Sequence, residues 1–252
     1  MPAYDFAAQR LFVEEALFAE TRLSPSASAQ NYLLNVLRLR EGAPILLFNG
    51  RDGEWRARIE MVSRRAAVLA VEERSREQTA PGDLDYAFAP IKQARLDYMA
   101  QKATEMGASR LVPVLTRRTQ LRRVNGERLR ANAIEAAEQC GILAVPEIAE
   151  SCDLGDYLTR LEPGRLLVFC DEDAPVADAL GALQRAAAKH RQSPAPLALL
   201  IGPEGGFDAQ ERAAILRCEN VLRLSLGPRI LRADTAAVAA LALLQATLGD
   251  CR

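Results

Sequence analysis

Hydrophobic and polar positions follow two different patterns along this chain, and the change falls near residue 80. Up to about residue 76, short apolar runs such as Pro44–Phe48 are separated by turn signals, including Asn49-Gly50 and Asp52-Gly53. Such dipeptides between apolar runs are typical of β-hairpins, because tight turns need left-handed backbone conformations. The pattern predicts a small β-rich module, such as a barrel, over residues 1–76. One short helix, Ala29–Leu37, is predicted within it.

A polar segment, Glu72–Gly82, follows and is predicted to be a linker. From about residue 83 onward strands and helices alternate, and strands such as Leu166–Phe169 are apolar throughout, as in sheets covered on both faces. This alternation predicts a parallel α/β sheet over residues 83–252. The predicted strands are Leu84–Ala89, Arg110–Leu115, Arg165–Cys170, Leu197–Ile201 and Val221–Leu226, and the predicted helices are Lys92–Met106, Gly126–Cys140, Pro175–Lys189, Asp208–Cys218 and Thr235–Leu248.

Composition changes this picture little. The 252 residues are 49% hydrophobic and 26% charged, which is ordinary for a globular protein of one large or two moderate domains. The longest weakly polar run, Ala236–Leu248, is shorter than the roughly 20 residues that span a membrane, so a buried helix is predicted. Residues 1–10 lack a basic region followed by an apolar stretch, so we expect no secretory signal and a cytoplasmic location.

The distribution of charge is more informative than the net charge of −1. Of the 32 basic residues 29 are arginine, and residues 110–130 hold seven arginines against one acidic residue, Glu127. Such a patch attracts a phosphate backbone. A solvated face of an arginine-rich protein explains the pattern equally well, so charge alone leaves both interpretations open. The seven are Arg110, Arg117, Arg118, Arg122, Arg123, Arg128 and Arg130.

Cysteine and histidine usage disfavours several kinds of chemistry. The five cysteines are scattered and never form a C-x-x-C pair, so neither a zinc site nor a disulfide framework is predicted. The single histidine, His190, lies in the polar segment Lys189–Gln192, which does not favour a serine or cysteine nucleophile. The sequence contains no cluster with metal-ligand spacing, and no metal is expected.

A glycine loop, Ile201–Phe207 (IGPEGGF), is the first stretch suited to ligand binding. It follows a predicted strand and precedes the helix at Asp208. Glycines let a ligand approach the backbone closely, and sheets of this kind bind ligands at the carboxyl ends of their strands. The loop matches neither the phosphate loop nor the dinucleotide fingerprint, so nucleoside triphosphate chemistry is not favoured. An ordinary strand-to-helix turn is the alternative.

The second stretch, Leu224–Ala236 (LSLGPRILRADTA), ends a strand, turns at Gly227-Pro228 and enters the last helix. Its two arginines present planar donors suited to phosphate or carboxylate groups. Asp234 or Thr235 is a candidate cap for the last helix, and this is the structural alternative to a functional role for Asp234.

Several motifs occur in a fixed order along nearly the whole chain. They are Asn35–Arg40 with Leu47–Gly50, Gln101–Ala108 with Pro113, Glu135–Cys140 with Val145-Pro146, the glycine loop, and Arg229–Ala236. With these motifs the chain resembles the bacterial 16S ribosomal RNA (uracil-1498-N3) methyltransferases of the knotted SPOUT superfamily. Each motif alone is modest, but the ordered set is specific. Asp234 stands where that family usually has glutamate.

The resemblance implies a PUA-like β-barrel that docks RNA, at residues 1–76, and an α/β methyltransferase domain with a trefoil knot, at residues 83–252. It further implies a homodimer with the last helix at its interface, and 16S ribosomal RNA of the small subunit as the partner. The methyl donor would be S-adenosylmethionine, held in the knot largely by backbone groups. Carried onto this chain, the donor pocket comprises Ile201, Gly202, Glu204, Gly205, Gly206, Leu224, Leu226, Gly227, Ile230 and Leu231.

Methylation of uridine at N3 requires loss of the N3 proton, and positioning the base in line with the methyl group lowers the barrier. A carboxylate near N3, or an arginine that stabilises negative charge on O2 or O4, would lower it further. The candidate catalytic residues are Arg232, Glu204 and Asp234. The candidate RNA-binding residues are Arg38, Arg40, Arg117, Arg118, Arg122 and Arg123.

Three alternative functions remain open. A non-catalytic RNA-binding factor of ribosome assembly would keep the fold, and a related knotted methyltransferase would act on transfer RNA. A nucleotide-binding metabolic enzyme is the third, and it is disfavoured because the chain lacks the phosphate-loop lysine.

Overall fold

The computed structural model describes residues 8–63, 66–174 and 178–250 of the chain. The chain divides into two compact units. The first comprises the chain up to Ala80 together with Ala137–Val145, and the second comprises Pro81–Ala136 and the chain from Pro146 onward. Residues 137–145 lie in the middle of the predicted C-terminal domain but group with the N-terminal unit.

The N-terminal unit is built on a mostly antiparallel sheet. Its elements are β1 (Arg10–Phe12), β2 (Arg22–Leu23), α1 (Ala27–Asn31), β3 (Pro44–Phe48), β4 (Glu54–Ser63) and β5 (Ala66–Arg76). Among the described residues the sheet has five strands in the order β1-β3-β4-β5-β2. The predicted hairpin is confirmed, because β3 and β4 pair antiparallel with Phe48 opposite Glu54. Gly50 and Gly53 in its loop have φ of +79° and +84°, in the left-handed region that such loops require.

The prediction of a helix at Ala29–Leu37 is only partly right. Helix α1 begins at Ala27, because the Ser26 side chain accepts a hydrogen bond from the Ala29 amide and caps its start. From Tyr32 to Val36 the backbone continues as a π-helix. The helical segment therefore begins earlier than predicted and changes type along its length.

The prediction that Glu72–Gly82 is a linker is wrong for residues 72–76, because β5 continues to Arg76. A buried charge cluster holds this end of the strand: the Glu54 carboxylate accepts hydrogen bonds from Arg10 at 3.0 Å and from Arg76 at 2.7 Å. Burial raises the pKa of Glu54, but the guanidinium of Arg76 and the hydroxyl of Ser75 outweigh it and lower that pKa. Arg76 at the end of β5 thus serves a buried ion pair, whereas Glu72 and Glu73 pair with the exposed Arg58 and Arg56 of β4.

The N-terminal unit has its own apolar core. Leu47 of β3, Ile59 of β4 and Leu69 of β5 are fully buried in it. A second, smaller cluster joins Phe48 to Leu143. This apolar contact accounts for the grouping of residues 137–145 with the N-terminal unit, since burial of apolar surface is the main favourable term in packing.

The C-terminal unit contains the predicted parallel α/β sheet, which is confirmed. Its strands are β6 (Leu84–Phe88), β7 (Arg110–Leu115), β8 (Glu147–Ile148), β9 (Cys152–Asp153), β10 (Leu166–Cys170), β11 (Leu197–Ile201) and β12 (Val221–Leu224). Its helices are α2 (Gln93–Glu105), α3 (Gly126–Cys140, whose last turn groups with the N-terminal unit), α4 (Leu154–Arg160), α5 (Ala179–Gln192), α6 (Ala209–Ile215) and α7 (Ala233–Thr247). Among the described residues the strand order is β12-β10-β11-β6-β7-β8, with β9 beside β7, and every pair is parallel.

Most predicted elements of this unit are confirmed, with small shifts at their ends. The helix predicted at Pro175–Lys189 is displaced: α5 begins at Ala179, because the Asp178 side chain accepts a hydrogen bond from the Gly181 amide and caps it there. Residues 175–177 of that prediction lie outside the described residues. The short elements β8, β9 and α4 were not predicted, because each presents too few residues for a periodic pattern.

Helices α2 and α7 pack together in the core of the C-terminal unit. Leu96 and Met99 of α2 are buried in one cluster with Leu241 and Leu244 of α7. This confirms the buried helix that the weakly polar run predicts. In the described part of the chain no helix has both the length and the apolar character to cross a membrane.

We predict that Glu54→Gln destabilises the protein by about 3–5 kcal/mol, the usual cost of removing one partner from a buried ion pair. The substitution would take the carboxylate charge away from two guanidinium groups, and the side chains of Glu54 and Arg10 are only 3% exposed. The measurement is the urea denaturation midpoint at neutral pH.

The matched control is Glu60→Gln, because Glu60 pairs with Arg22 on the surface, with side chains 41% and 70% exposed. Exposed pairs contribute about 1 kcal/mol at most, so this variant should unfold nearly as the wild type does. Equal losses in the two variants would contradict the buried cluster.

Candidate functional site

The carboxyl ends of β10, β11 and β12 lie at one edge of the C-terminal sheet, because the three neighbouring strands are parallel. The turns that follow them enclose a pocket of about 160 Å³. Its wall is formed by Cys170, Asp171, Glu172, Ile201, Gly202, Pro203, Glu204, Gly206, Phe207, Leu224, Ser225, Leu226, Gly227, Pro228, Arg229, Ile230, Leu231, Ala233 and Ala236. The two stretches that the sequence singles out therefore form one site.

Gly202 leaves room for an aromatic ring at the base of the glycine loop. A Cβ atom at this position would lie 2.6 Å from Cε2 of Phe207. Phe207 packs edge-on against Phe169 of β10, with ring centroids 5.3 Å apart. Because glycine has no side chain, the loop can fold back onto the strand without displacing this pair.

Gly206 is required by both backbone conformation and space. Its φ is +67°, in the left-handed region, and a Cβ atom there would overlap the carboxylate of Glu172. Its amide donates a hydrogen bond to the Pro203 carbonyl at 2.9 Å, which closes the turn. The glycine loop is therefore a strand-to-helix turn, which was the alternative to a ligand-binding role, and it also forms a wall of the pocket.

The second turn, residues 225–231, presents unused main-chain donors. In the described chain the amides of these residues, apart from Pro228, which has none, donate no hydrogen bond to the protein. Gly227 has a φ of +102° and open space on its side-chain face. The side chain of Ile230 is 97% exposed at the rim. A ligand entering the pocket would find these amides available.

Every predicted donor-pocket residue except Gly205 lies on the pocket wall. Gly205 is on the same loop, but its carbonyl accepts a hydrogen bond from Nη1 of Arg118 at 2.5 Å. Cys170, Asp171 and Glu172 also line the pocket and were not predicted from the sequence. A signal was present, since these residues directly follow an apolar strand whose carboxyl end lies at the same edge.

The acidic residues after β10 differ in their surroundings. Asp171 is 4% exposed and is held by Arg212 at 3.1 Å and Arg223 at 2.9 Å. Glu172 is exposed at the pocket. Burial raises the pKa of the neighbouring Cys170 thiol to about 12, so this group stays neutral and protonated. Glu172 is thus the carboxylate of this turn that is open to a cationic or hydroxylic ligand.

The three candidate catalytic residues lie at or near the pocket, but not all on its wall. Glu204 lines the pocket. Asp234 stands beside it in the first turn of α7, and Arg232 stands at the start of that helix. The suggestion that Asp234 or Thr235 caps this helix is wrong, because α7 begins at Ala233 and Arg232 occupies the cap position. Arg95, which sequence reasoning missed, lies between the two carboxylates, 3.7 Å from Glu204 and 3.8 Å from Asp234.

The candidate RNA-binding arginines of the C-terminal unit fall into two pairs. Arg117 donates to the Asp208 carboxylate at 2.7 Å, and Arg118 donates to the Gly205 carbonyl. Both side chains therefore support the glycine loop and the start of α6. Arg122 and Arg123 are exposed and make no ion pair within the described part of the chain.

Arg38 and Arg40 lie in the N-terminal unit, between the π-helix and β3. Both are exposed, and neither forms an ion pair with a residue that the structure describes. Arg38 has a φ of +56°, an uncommon conformation for a residue with a side chain. These guanidinium groups are free to meet an anionic partner.

The remaining chemistry-bearing residues lie away from the pocket. The Nε2 atom of His190 is 2.9 Å from the Ala195 carbonyl, and His190 is not on the pocket wall. No two of the described cysteines, Cys140, Cys152, Cys170 and Cys218, form a disulfide with one another. Within the described ranges no group of His, Cys, Asp and Glu side chains is placed to hold a metal ion.

Two family models match this chain. An RNA methyltransferase domain matches residues 78–245, and an RNA methyltransferase PUA domain matches residues 26–72. The first spans the whole pocket and the second covers most of the N-terminal sheet.

The chain is also similar to named proteins over nearly its whole length. It is 30% identical to ribosomal RNA small subunit methyltransferase E of Rickettsia conorii, over 96% of this chain and 97% of that protein. It is 31% identical to the Synechocystis protein of the same name, over 96% of this chain and 78% of that protein. The crystal structure of the Neisseria gonorrhoeae protein of that name, bound to S-adenosyl methionine, superposes with a TM-score of 0.83 at 25% identity, covering 97% of this chain and all of that one.

We predict that Gly202→Ala destabilises the protein by about 1–3 kcal/mol, the usual cost of overpacking a buried site, because the new methyl group would push Phe207 off Phe169. The measurement is the urea denaturation midpoint. The matched control is Gly155→Ala in α4, where nothing lies within 4 Å of the added methyl group. That helical substitution should be neutral or slightly stabilising. A Gly202→Ala protein as stable as the wild type would contradict the described loop packing.

Proposed function

The chain belongs to the RNA methyltransferase family, and we propose that it transfers a methyl group from S-adenosylmethionine to N3 of a uridine, uracil 1498, in 16S ribosomal RNA. One observation carries the proposal. The glycine loop and the turn after β12 form a single pocket with unused main-chain amides. A relative that superposes over the whole chain was crystallised with S-adenosyl methionine.

The residues of the pocket fit such a donor. Unused amides in residues 225–231 suit the hydrogen-bonding edge of an adenine ring, and Leu224 and Leu226 supply apolar contact for its faces. Glu172 places negative charge in the pocket, which complements a sulfonium, and its carboxylate can accept hydrogen bonds from ribose hydroxyls. The left-handed Gly206 lets the loop run close to the ligand.

The donor supplies an electrophilic methyl group, and the protein has to hold the uracil and manage its N3 proton. In the overall reaction the N3–H bond and the methyl–sulfur bond break while an N3–methyl bond forms. We propose that Glu204 accepts the proton, directly or through water, because it is the candidate carboxylate on the pocket wall. Arg232, at the start of α7, stabilises negative charge that develops on the uracil oxygens.

RNA docking involves both units in this proposal. The N-terminal unit, matched by a PUA domain model, contributes Arg38 and Arg40. In the C-terminal unit Arg122 and Arg123 are the phosphate contacts, because Arg117 and Arg118 are engaged in holding the glycine loop. The residue ranges proposed for the two domains are 1–76 and 83–252.

Three further properties follow from the family resemblance and belong to the proposal. They are a trefoil knot around the donor pocket, a homodimer and a cytoplasmic location, where ribosomal subunits are found. The exposed Ile230 supports a partner subunit at the pocket rim. Its large apolar side chain is 97% exposed, and burial against a partner would remove this apolar surface from water.

The proposed function is tested by offering the purified protein labelled S-adenosylmethionine and one of three RNAs: small ribosomal subunits from a strain lacking the gene, naked 16S ribosomal RNA, or transfer RNA. We expect labelled 3-methyluridine at a single ribosomal position, identified by nucleoside mass spectrometry and fragment mapping. Methylation of transfer RNA alone would support the related knotted enzyme instead. Donor binding without transfer to any RNA would support an assembly factor.

Donor binding has its own test, Gly206→Ala, measured by calorimetry. The added methyl group would overlap Glu172 and strain the left-handed turn by about 1–2 kcal/mol, and the resulting shift of the loop at the pocket wall should weaken S-adenosylmethionine binding about tenfold. The matched control is Gly164→Ala, which has a φ of +86° and open surroundings away from the pocket. It carries the same backbone strain and should bind as the wild type does. Equal weakening in the two variants would contradict the assigned pocket.

We predict that replacing Arg122 and Arg123 together by alanine reduces the slope of log affinity against log salt for small-subunit RNA by about 1.5. Each guanidinium that contacts a phosphate releases roughly 0.7–0.9 counterion, and both side chains are available for such contacts. Filter binding at several salt concentrations measures the slope. Arg191→Ala, an exposed arginine at the end of α5, is the control and should leave it unchanged. An unaltered slope in the double variant would assign these arginines to a solvated face.

A further inference from the structure

Arg95 is a charged residue beside the pocket to which no role has been given. It lies in the first turn of α2, the helix whose buried face packs against α7. Its side chain is 37% exposed, so it is neither a free surface group nor a core residue. Packing of α2 against α7 thus fixes the base of this side chain relative to the start of α7.

The guanidinium of Arg95 spans two carboxylates that come from different turns. Nη1 lies 3.7 Å from Oε1 of Glu204, and Nε lies 3.8 Å from Oδ2 of Asp234. Both distances exceed the 2.7–3.2 Å that is typical of N–H···O hydrogen bonds. Arg95 is therefore within ion-pair reach of both groups and is held tightly by neither.

The two carboxylates belong to different turns, and Glu204 lines the pocket whereas Asp234 stands beside it. Glu204 is on the glycine loop after β11, and Asp234 is in the first turn of α7, which follows the turn after β12. Two like charges close to one another repel, and a cation between them removes that repulsion. The planar guanidinium can face two carboxylates at once, which a single ammonium cannot do equally well. Arg95 is thus placed to connect the two turns electrostatically.

We infer that Arg95 is a positioning residue for methyl transfer: it ties the glycine loop to the start of α7 and so fixes Glu204 against the substrate base. The inference rests on the proposed function. Arg95 and Asp234 are not on the pocket wall, whereas Glu204 is, so Arg95 acts through Glu204 and not by contact with the donor.

In this arrangement donor binding and methyl transfer depend on different groups. The donor is held by main-chain amides of residues 225–231 and by the left-handed turn at Gly206, neither of which involves Arg95. Loss of Arg95 should therefore leave donor affinity nearly unchanged. Proton acceptance depends on where the Glu204 carboxylate stands, and a displacement of about 1 Å can lower a catalytic rate by about a hundredfold.

The test compares Arg95→Met and Arg95→Lys with the wild type in single-turnover methylation of small ribosomal subunits, with donor and protein saturating. We expect Arg95→Met to lower the rate by about 10- to 100-fold, with the donor dissociation constant changed by less than about twofold. Arg95→Lys should recover part of the rate, because its ammonium can pair with one carboxylate at a time.

Arg128→Met is the matched control. It removes an ion pair between α3 and α2, Arg128 with Asp97 at 2.6 Å, in which the arginine side chain is 54% exposed, without touching the pocket. Its rate should stay within about twofold of the wild type, as expected for a surface pair. Equal rate losses in Arg95→Met and Arg128→Met would mean general destabilisation and would overturn the inference. So would a wild-type rate in Arg95→Met, or a loss of donor binding that accounts for the whole effect.

A measurement that does not depend on turnover separates failure of this inference from failure of the proposed function. Thermal unfolding of Arg95→Met, Asp234→Asn and the double variant forms a double-mutant cycle. Non-additive shifts in the unfolding midpoint would support the bridge, and additive shifts would overturn it. A wild-type protein that methylates no RNA would refute the proposed function while leaving the result of the cycle intact.

Discussion

The parallel pairing of β10 with β11 and β12 is the constraint on which the site depends. Phe169 stands beside Leu200 and Cys170 beside Leu224, so the three strands end together and their turns meet at one edge of the sheet. Hydrogen bonding along the strands fixes this register, and the apolar side chains that cover both faces of the sheet hold it in place. The turns after these strands expose main-chain groups to the pocket, and glycine at positions 202, 206 and 227 makes this possible.

Arginines around the pocket have two roles: some hold the glycine loop and the start of α6, and others pair with the carboxylates at the pocket. Arg118 donates to the Gly205 carbonyl and Arg117 to Asp208, so part of a stretch that looks like an RNA-binding patch stabilises the glycine loop instead. Arg95 stands between Glu204 and Asp234, and Arg212 and Arg223 hold Asp171. Substitution of an arginine here therefore affects either the shape of the pocket or the approach of RNA, and the partner of each side chain determines which.

The sequence predicts the C-terminal unit well, because the strands of a covered parallel sheet are apolar throughout and the helices between them carry caps and glycine stops. The two turns of the pocket were also found, since a glycine-rich loop and a Gly-Pro dipeptide that follow apolar strands are local signals. Arg95 could not be found in this way: only packing of α2 on α7 brings it to residues more than a hundred positions further along the chain. The end of β5 was mistaken for a linker because its charged residues pair across the sheet, Arg76 with the buried Glu54 and Glu72 and Glu73 with arginines of β4, which composition does not reveal.

The central claim is that main-chain groups of the glycine loop and of the turn after β12 enclose the methyl donor. Hydrogen–deuterium exchange of the purified protein, with and without saturating S-adenosylmethionine, tests this most directly. We expect slower exchange in residues 202–207 and 225–231 together, because the unpaired amides of the second turn would gain a ligand and the bound donor would cover the glycine loop. Protection confined to other segments, or none at all at a donor concentration that saturates calorimetric binding, would contradict the account.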